Sequence, residues 1–264
     1  MKMSNISIIE NPKVPDISGI RNNLEKIVQK MGAKIVPCCK NTEILISLGG
    51  DGTVLKGFRM LPSFDIPLLG LNFGKFGFLT IDCKDMEKVV QDVFSGNFRV
   101  SPRIYLEGHI VSPSNKATFV GRALNEMVIF RKDIRMVEFE LTLGSTVFYF
   151  KADGMIVSTP TGSTAHAFSA GGPIVFPEVR SLIIVAFAPF TATWRNCIYE
   201  GGRVLLKPSR DCDIIIDGQE KINLPKEQLL EIQPGQESFK LMVPENWDFW
   251  NTLKEKFSWG KGLV

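Results

Sequence analysis

Leu48-Gly49-Gly50-Asp51-Gly52-Thr53 is the stretch from which the architecture of this chain can be worked out. It follows the apolar run 44–46 and precedes 54–61, a segment compatible with a helix. The start of a helix carries unpaired N–H groups and the positive end of the helix dipole, so it attracts anions. Glycines let a phosphate oxygen approach those N–H groups without a steric clash. The stretch therefore predicts a phosphate site between a strand and a helix.

An aspartate in the middle of this loop sets it apart from the usual nucleotide-binding signatures. The spacing is not GxGxxG, and no Lys-Ser/Thr pair follows. A carboxylate repels phosphate unless a divalent metal lies between them, or unless it takes a proton from an attacking hydroxyl. Asp51 is therefore a candidate base or metal ligand, and the alternative is an aspartate that caps the helix.

Four stretches of the chain resemble the NAD kinases, within a wider group of kinases that share the GGDG loop. They are Gly49–Thr53, Leu71–Thr80, Leu124–Glu126 and Asp153–Pro173. The resemblance extends over most of residues 44 to 220. It implies transfer of the γ-phosphoryl group of ATP, or of a phosphoryl group from polyphosphate, to the 2′-hydroxyl of the adenosine ribose of NAD. It also implies a divalent metal, with Mg²⁺ expected, and a homodimer or homotetramer.

Two other functions remain open from the residues themselves. One is a lipid or sugar kinase that shares the GGDG loop, although Val54-Leu55-Lys56 follows here where lipid kinases have Asn-Glu. The other is a non-catalytic dinucleotide sensor, which the intact Asp51 disfavours.

The candidate site residues come from the loop and from this resemblance. Asp51 is predicted to be catalytic and is the candidate metal ligand. Thr53 is expected to cap the helix, and Lys56 either reaches a phosphate or lies on a solvated helix face. Asn125 and Glu126 resemble the pair that holds the dinucleotide, since an amide and a carboxylate suit hydroxyl recognition. The predicted substrate- and nucleotide-binding residues are Gly49, Gly50, Gly52, Thr53, Lys56, Asn72, Phe76, Asn125, Glu126, Lys151, Asp153, Ser163, Thr164, Ala165, His166, Ser169, Ala188 and Gln219.

Two places depart from the family pattern. His166 stands where the family has a tyrosine. Imidazole can stack on adenine, and its pKa near ~6.5 would make the affinity depend on pH; the alternative is an ordinary polar helix residue. In 186–195 only Pro189 and Arg195 agree with the family, which leaves the substrate contacts of this segment open.

Composition limits the kinds of partner. Of the 264 residues 44% are hydrophobic and 22% are charged, and the net charge of +3 is too small to predict a nucleic-acid surface. The five cysteines show no CxxC pair, and two histidines are too few for a zinc site. The longest apolar run, 182–190, is too short to span a membrane, and the start lacks the apolar core of a signal peptide. We therefore expect a cytoplasmic protein with no membrane partner.

The hydrophobic pattern changes along the chain. Before residue 98, predicted strands alternate with helices at 16–31 and 85–95, which indicates an α/β domain with a parallel sheet and ligands at the carboxyl edge of its strands. After about residue 100 the apolar period is 2, and hairpins are predicted at 137–150 and 214–220. We predict an α/β nucleotide-binding domain at 1–98, a β-rich, β-sandwich-like dinucleotide-binding domain at 99–244, and a helix at 245–264 that returns to the first domain.

Overall fold

The computed structural model describes residues 3–74, 77–191 and 193–258. Phe76, a predicted nucleotide-binding residue, lies outside these described residues. The chain forms two compact units, one made of 1–102 with 239–264 and the other of 103–238. The last strand therefore lies in the first unit, although the sequence analysis placed it in the β-rich domain. The physical reason is that Leu241 pairs in parallel with Leu68, inside the sheet of the first unit.

The helices and strands are numbered in chain order. The first unit begins with β1 (Asn5–Glu10), α1 (Ile17–Lys30), β2 (Lys34–Ile35), β3 (Ile44–Leu48), α2 (Asp51–Met60), β4 (Leu68–Asn72), β5 (Ile81–Asp82), α3 (Met86–Ser95) and β6 (Phe98–Arg103). The second contains β7 (Leu106–Val111), β8 (Ala117–Ala123), β9 (Glu126–Arg131), β10 (Val137–Leu143), β11 (Thr146–Ala152), β12 (Gly154–Ser158), a 3₁₀ turn (Thr161–Thr164), α4 (His166–Ser169), β13 (Leu182–Phe187), β14 (Cys197–Tyr199), β15 (Val204–Pro208), β16 (Cys212–Ile216), β17 (Glu220–Leu224) and β18 (Leu229–Pro234). β19 (Phe239–Pro244) and α5 (Phe249–Phe257) complete the first unit.

The first unit is built on one sheet with the strand order β2-β1-β3-β4-β19-β6, and β5 also pairs with β4. The pairs among β1 to β5, and β4 with β19, are parallel, so the predicted parallel sheet is confirmed. β3 and β4 are buried at every residue because α1 and α3 cover one face and α2 covers the other. This arrangement brings the loops after β3 and β4 to the carboxyl edge of the sheet.

The second unit contains two six-stranded antiparallel sheets. The first has the order β11-β10-β15-β18-β7-β8, and the second has the order β14-β13-β12-β9-β16-β17. Apolar side chains from both sheets form one core, with Phe139 and Leu141 from the first and Ile129 and Met155 from the second. The predicted β-sandwich-like fold is therefore confirmed. Both predicted hairpins form, β10 with β11 and β16 with β17.

The outer face of the second antiparallel sheet is also covered. Ile156 and Val185 on this face pack against Ala167 and Val175, which belong to the segment that contains the 3₁₀ turn and α4. This packing holds the Gly- and Thr-rich stretch of the sequence against β9 and β12. Within the described residues, no helix is long and apolar enough to cross a membrane.

Candidate active site

The glycine-rich loop leads directly from β3 into α2. Gly50 occupies the N-cap position without a side-chain hydrogen bond, and Asp51 is the first helical residue. The expectation that Thr53 caps the helix is therefore wrong, and so is the alternative that Asp51 does. Gly49 has a φ of 148°, and a Cβ on it would lie 2.4 Å from the hydroxyl of the buried Thr53. Among the described residues, no atom lies within 4 Å of a Cβ built on Gly50, so none of them blocks a ligand there.

The carboxylate of Asp51 accepts hydrogen bonds from a second loop, which follows β4. Its Oδ2 accepts from the N–H of Phe78 at 2.8 Å, and its Oδ1 accepts from the N–H of Leu79 at 3.1 Å. Oδ1 also accepts from the hydroxyl of Thr80 at 3.0 Å. A carboxylate has about four lone-pair sites, so these three bonds fix its orientation, and the described residues leave one position on Oδ2.

Asn72 and Thr80 extend this network. The side-chain amide of Asn72 donates to the hydroxyl of Thr80 at 3.1 Å, and its oxygen accepts from the N–H of Gly74 at 2.9 Å. Because the Thr80 oxygen accepts from Asn72, its own hydrogen is directed at Asp51. Asn72 is only 4% exposed, and both of these bonds hold the loop that follows β4. Thr80 was not among the predicted site residues, because its only signal in the sequence is a hydroxyl at the end of the second glycine-rich stretch.

Gly77 makes room for the carboxylate of Asp51. A Cβ at this position would lie 1.8 Å from Oδ1 of Asp51 and 2.3 Å from the hydroxyl of Thr80. Lys56 is exposed one turn into α2, which fits either of its two interpretations. The first unit thus brings Asp51, Asn72 and three of the predicted glycines to the carboxyl ends of β3 and β4.

In the second unit, Leu124 and Asn125 form a turn that leads into Glu126, the first residue of β9, and this turn is held from both sides. The carboxylate of Asp217 accepts from the N–H groups of Leu124, Asn125 and Glu126, at 3.0, 2.8 and 3.2 Å. On the carbonyl side, the hydroxyl of Thr159 donates to the oxygen of Leu124 at 2.6 Å. The sequence predicts a hairpin around Asp217 but not these bonds, because the bonded groups are 91 to 93 residues apart.

Glu126 is a buried acid with one side-chain oxygen unpartnered. The residue is 4% exposed, and no group in the described part of the chain donates to Oε2. Burial, together with the charge of Asp217, raises the pKa of Glu126 to about 8, and a hydrogen bond from the backbone N–H of His166 acts in the opposite direction. An unsatisfied buried oxygen is uncommon in proteins, and a bound water or a ligand would supply the missing hydrogen bond.

The segment 161–169 carries five predicted binding residues, and the structure divides them. Ser163 is fully buried, and its hydroxyl both donates to and accepts from the backbone of Val175 at 3.2 Å, so this hydroxyl is used internally. The hydroxyl of Thr164 bonds to the carbonyl of Thr161 at 3.4 Å. Ala165 is half-buried, whereas Ser169 is exposed.

His166 is exposed at the start of α4. Its ring centroid lies 6.1 Å from that of Phe187 in an edge-on arrangement. Phe187 in turn lies 5.5 Å from Phe130. The open side of the imidazole is therefore accessible to a base, and its stacking on adenine stays a prediction.

Lys151, Asp153 and Ala188 come together where β11 joins β12. The N–H of Phe190 donates to the carbonyl of Lys151, and the N–H of Asp153 donates to that of Phe187. The charged groups of both predicted residues already have partners, since Lys151 pairs with Glu138 at 2.6 Å and Asp153 pairs with Arg131 at 2.7 Å. Ala188 is exposed with a φ of 47°, a strained value for a residue with a side chain. Gln219 lies exposed in the β16–β17 turn.

Comparisons with known proteins cover both units. The profile described as ATP-NAD kinase N-terminal domain matches residues 6–98, and the one described as ATP-NAD kinase C-terminal domain matches residues 124–243. A protein of Clostridium beijerinckii named NAD kinase is 32% identical over 273 residues, covering 96% of this chain and 95% of that protein. One of Pseudomonas entomophila with the same name is 36% identical over 229 residues, covering 84% and 77%.

Two solved structures share the fold. Yeast NADH kinase complexed with NADH superposes with a TM-score of 0.89 at 21% identity, covering 99% of this chain and 89% of that one. An NAD kinase from Archaeoglobus fulgidus in complex with ATP gives a TM-score of 0.75 at 22% identity, covering 96% and 97%.

Proposed function

This chain belongs to the NAD kinase family, and on that basis we propose that Asp51 and the Asn125-Glu126 turn carry its phosphotransferase activity. The reaction is transfer of a phosphoryl group from ATP to the 2′-hydroxyl of the adenosine ribose of NAD, which gives NADP. The lipid-kinase, sugar-kinase and sensor alternatives are not favoured, because the curated relatives described above are NAD kinases.

The oriented carboxylate of Asp51 is the observation that carries this proposal. Three donors from residues 78–80 hold it at the carboxyl edge of the sheet, beside the open backbone of Gly50. The remaining position on Oδ2 accepts the proton of the attacking hydroxyl or holds a metal. Phosphoryl transfer depends mainly on positioning and on charge neutralisation, so a carboxylate with a fixed orientation suits either role.

Magnesium fits this site as an ion carried by the nucleotide. No group of three or more His, Cys, Asp or Glu side chains converges within residues 3–74, 77–191 and 193–258. Mg²⁺ needs only one or two protein carboxylates when substrate phosphates and water fill its other positions, and Asp51 supplies one. When bound, the ion neutralises charge on the donor phosphates.

The second unit supplies the dinucleotide contacts in this proposal. Glu126 offers an unpartnered buried oxygen, and Asn125 beside it can both donate and accept. A protonated Glu126 also donates a hydrogen bond, which suits a hydroxyl or a ring nitrogen. The exposed imidazole of His166 provides an aromatic surface for the base.

One assay tests the activity directly. Purified protein is incubated with NAD, ATP and Mg²⁺, and NADP is measured; parallel reactions replace ATP with polyphosphate, NAD with NADH, and Mg²⁺ with EDTA. Formation of NADP that requires the metal supports the proposal. No product from any donor with either acceptor would contradict it.

Two variants test the assigned roles. Asp51→Asn should lower kcat by ~10²–10⁴ while NAD still binds, because a positioned base or metal ligand is lost. Glu126→Ala should weaken NAD binding much more than ATP binding. Turnover near that of the wild type in the first variant, or unchanged NAD affinity by calorimetry in the second, would remove the residue from its role.

We also propose a cytoplasmic homodimer or homotetramer. The five cysteines are free thiols, as a reducing compartment favours. The edge strand β11 exposes Val147, Phe148 and Tyr149, at 44%, 39% and 75%, and an apolar edge of this kind is commonly covered by another chain. Light scattering coupled to gel filtration measures the mass of the assembly, and a monomer would contradict the oligomer.

A further inference from the structure

Asp217 does more than form a turn. It occupies the β16–β17 hairpin with a φ of 49°, followed by Gly218 with a φ of 64°, which are the positive values that a type I′ turn requires. Asn or Gly would satisfy this backbone equally well. Yet the aspartate is only 6% exposed, and its carboxylate accepts three backbone hydrogen bonds from Leu124–Glu126. The turn alone does not explain a buried carboxylate, whose desolvation is costly.

The bonds of Asp217 fix the N–H side of the turn that presents Asn125 and Glu126. The carbonyl side is fixed separately, because Thr159 donates to the oxygen of Leu124 and Ser158 donates to that of Asn125 at 3.1 Å. The backbone of these two residues therefore has a set conformation in the absence of ligand. Their side chains are preorganised, which reduces the free energy that binding must spend on ordering them.

We propose that Asp217 is a positioning residue for the dinucleotide: its carboxylate holds the turn that presents Asn125 and Glu126. This inference rests on the proposed binding role of that pair. It predicts an effect confined to NAD, because Asp217 holds no residue that has been assigned to ATP.

Asp217→Asn is the test variant. Asparagine tolerates a positive φ, so the hairpin is kept, but it has one oxygen, and its NH₂ group faces at least one of the three N–H donors. We expect the KM for NAD to rise at least fivefold, while the KM for ATP stays within twofold of the wild-type value. Asp217→Gly also keeps the turn, and its KM values are measured as a second test if Asp217→Asn does not fold.

Asp211→Asn is the matched control. Asp211 also accepts a backbone hydrogen bond, from the N–H of Lys226 at 2.8 Å, but it lies on an exposed turn. Its replacement should leave both KM values within twofold. An unchanged KM for NAD in the Asp217 variants would overturn the inference. An equal rise of both KM values together with a lower Tm would also overturn it, because that result indicates a purely structural role.

Glu126→Ala, measured in the same assay, separates this inference from the proposed function. If Glu126→Ala weakens NAD binding and Asp217→Asn does not, only the positioning role fails. If Glu126→Ala also leaves NAD binding unchanged, the binding role of the pair fails, and the positioning role fails with it.

Discussion

Replacing Gly77 with alanine tests whether the position of the Asp51 carboxylate matters for activity. The added Cβ would lie 1.8 Å from Oδ1 of Asp51 and 2.6 Å from its Cγ, far inside any van der Waals contact. The carboxylate is the end of a side chain and moves more readily than the backbone. It should therefore leave its place and break its bonds to Phe78, Leu79 and Thr80.

The expected magnitude follows from those three bonds. A hydrogen bond to a charged group contributes about 1.5–3 kcal/mol. Asp51 is only half-buried, so water replaces much of what is lost, and we expect a net destabilisation of about 1–3 kcal/mol. That corresponds to a fall in Tm of about 2–12 °C for a chain of this size. A misplaced catalytic group costs about 10²-fold in rate, so kcat should fall by at least that factor.

Gly74→Ala in the same loop is the control. Within the described part of the chain, a Cβ there would meet only Oδ1 of Asn72, at 3.7 Å, which is an ordinary contact. Steady-state kinetics and thermal unfolding of both variants make the comparison, and Gly74→Ala should stay within twofold in kcat. If Gly77→Ala keeps its wild-type kcat, or loses no more than the control, the oriented carboxylate is not what the reaction requires.

Two further predictions concern the second unit. Burial and the charge of Asp217 raise the pKa of Glu126 to about 8, so the folded protein keeps this proton up to about pH 8, whereas the unfolded chain releases it near pH 4.5. The free energy of unfolding should therefore decline between about pH 4.5 and 8. Glu126→Gln should flatten the part of this decline that Glu126 causes, measured as Tm against pH, and an identical profile for wild type and variant would refute the assignment. If His166 stacks on adenine, His166→Ala should raise the Kd for NAD about two- to twelvefold, the equivalent of about 0.5–1.5 kcal/mol for an aromatic pair. His166→Tyr should preserve the affinity, so equal calorimetric affinities for all three proteins would place His166 outside the pocket.

Local patterns predicted the elements of the fold well. The helix expected at 85–95 forms as α3, with its aspartate cap at Asp85 and its end at Gly96, whose φ is 82°. The hairpins predicted at 137–150 and 214–220 both form. The last strand was placed wrongly because its alternating pattern matches that of the β-rich unit, whereas its hydrogen-bond partner is a strand more than 170 residues earlier.

The sequence by itself determined the family, the parallel and antiparallel sheets, and the two segments on which candidate chemistry lies, because glycine loops and apolar periods are local properties. Only the tertiary structure showed that Phe78–Thr80 hold Asp51 and that Asp217 holds the turn before β9. The groups bonded to Asp51 are 27 to 29 residues away in the chain, and those bonded to Asp217 are 91 to 93 residues away. In each case one carboxylate side chain makes the contact. A single contact between distant segments produces no periodic pattern in the sequence, because the apolar pattern of the intervening chain reflects its own packing. These bonds form because packing of the sheets brings a carboxylate and unpaired N–H groups together. Leaving either of them without a hydrogen bond would cost free energy.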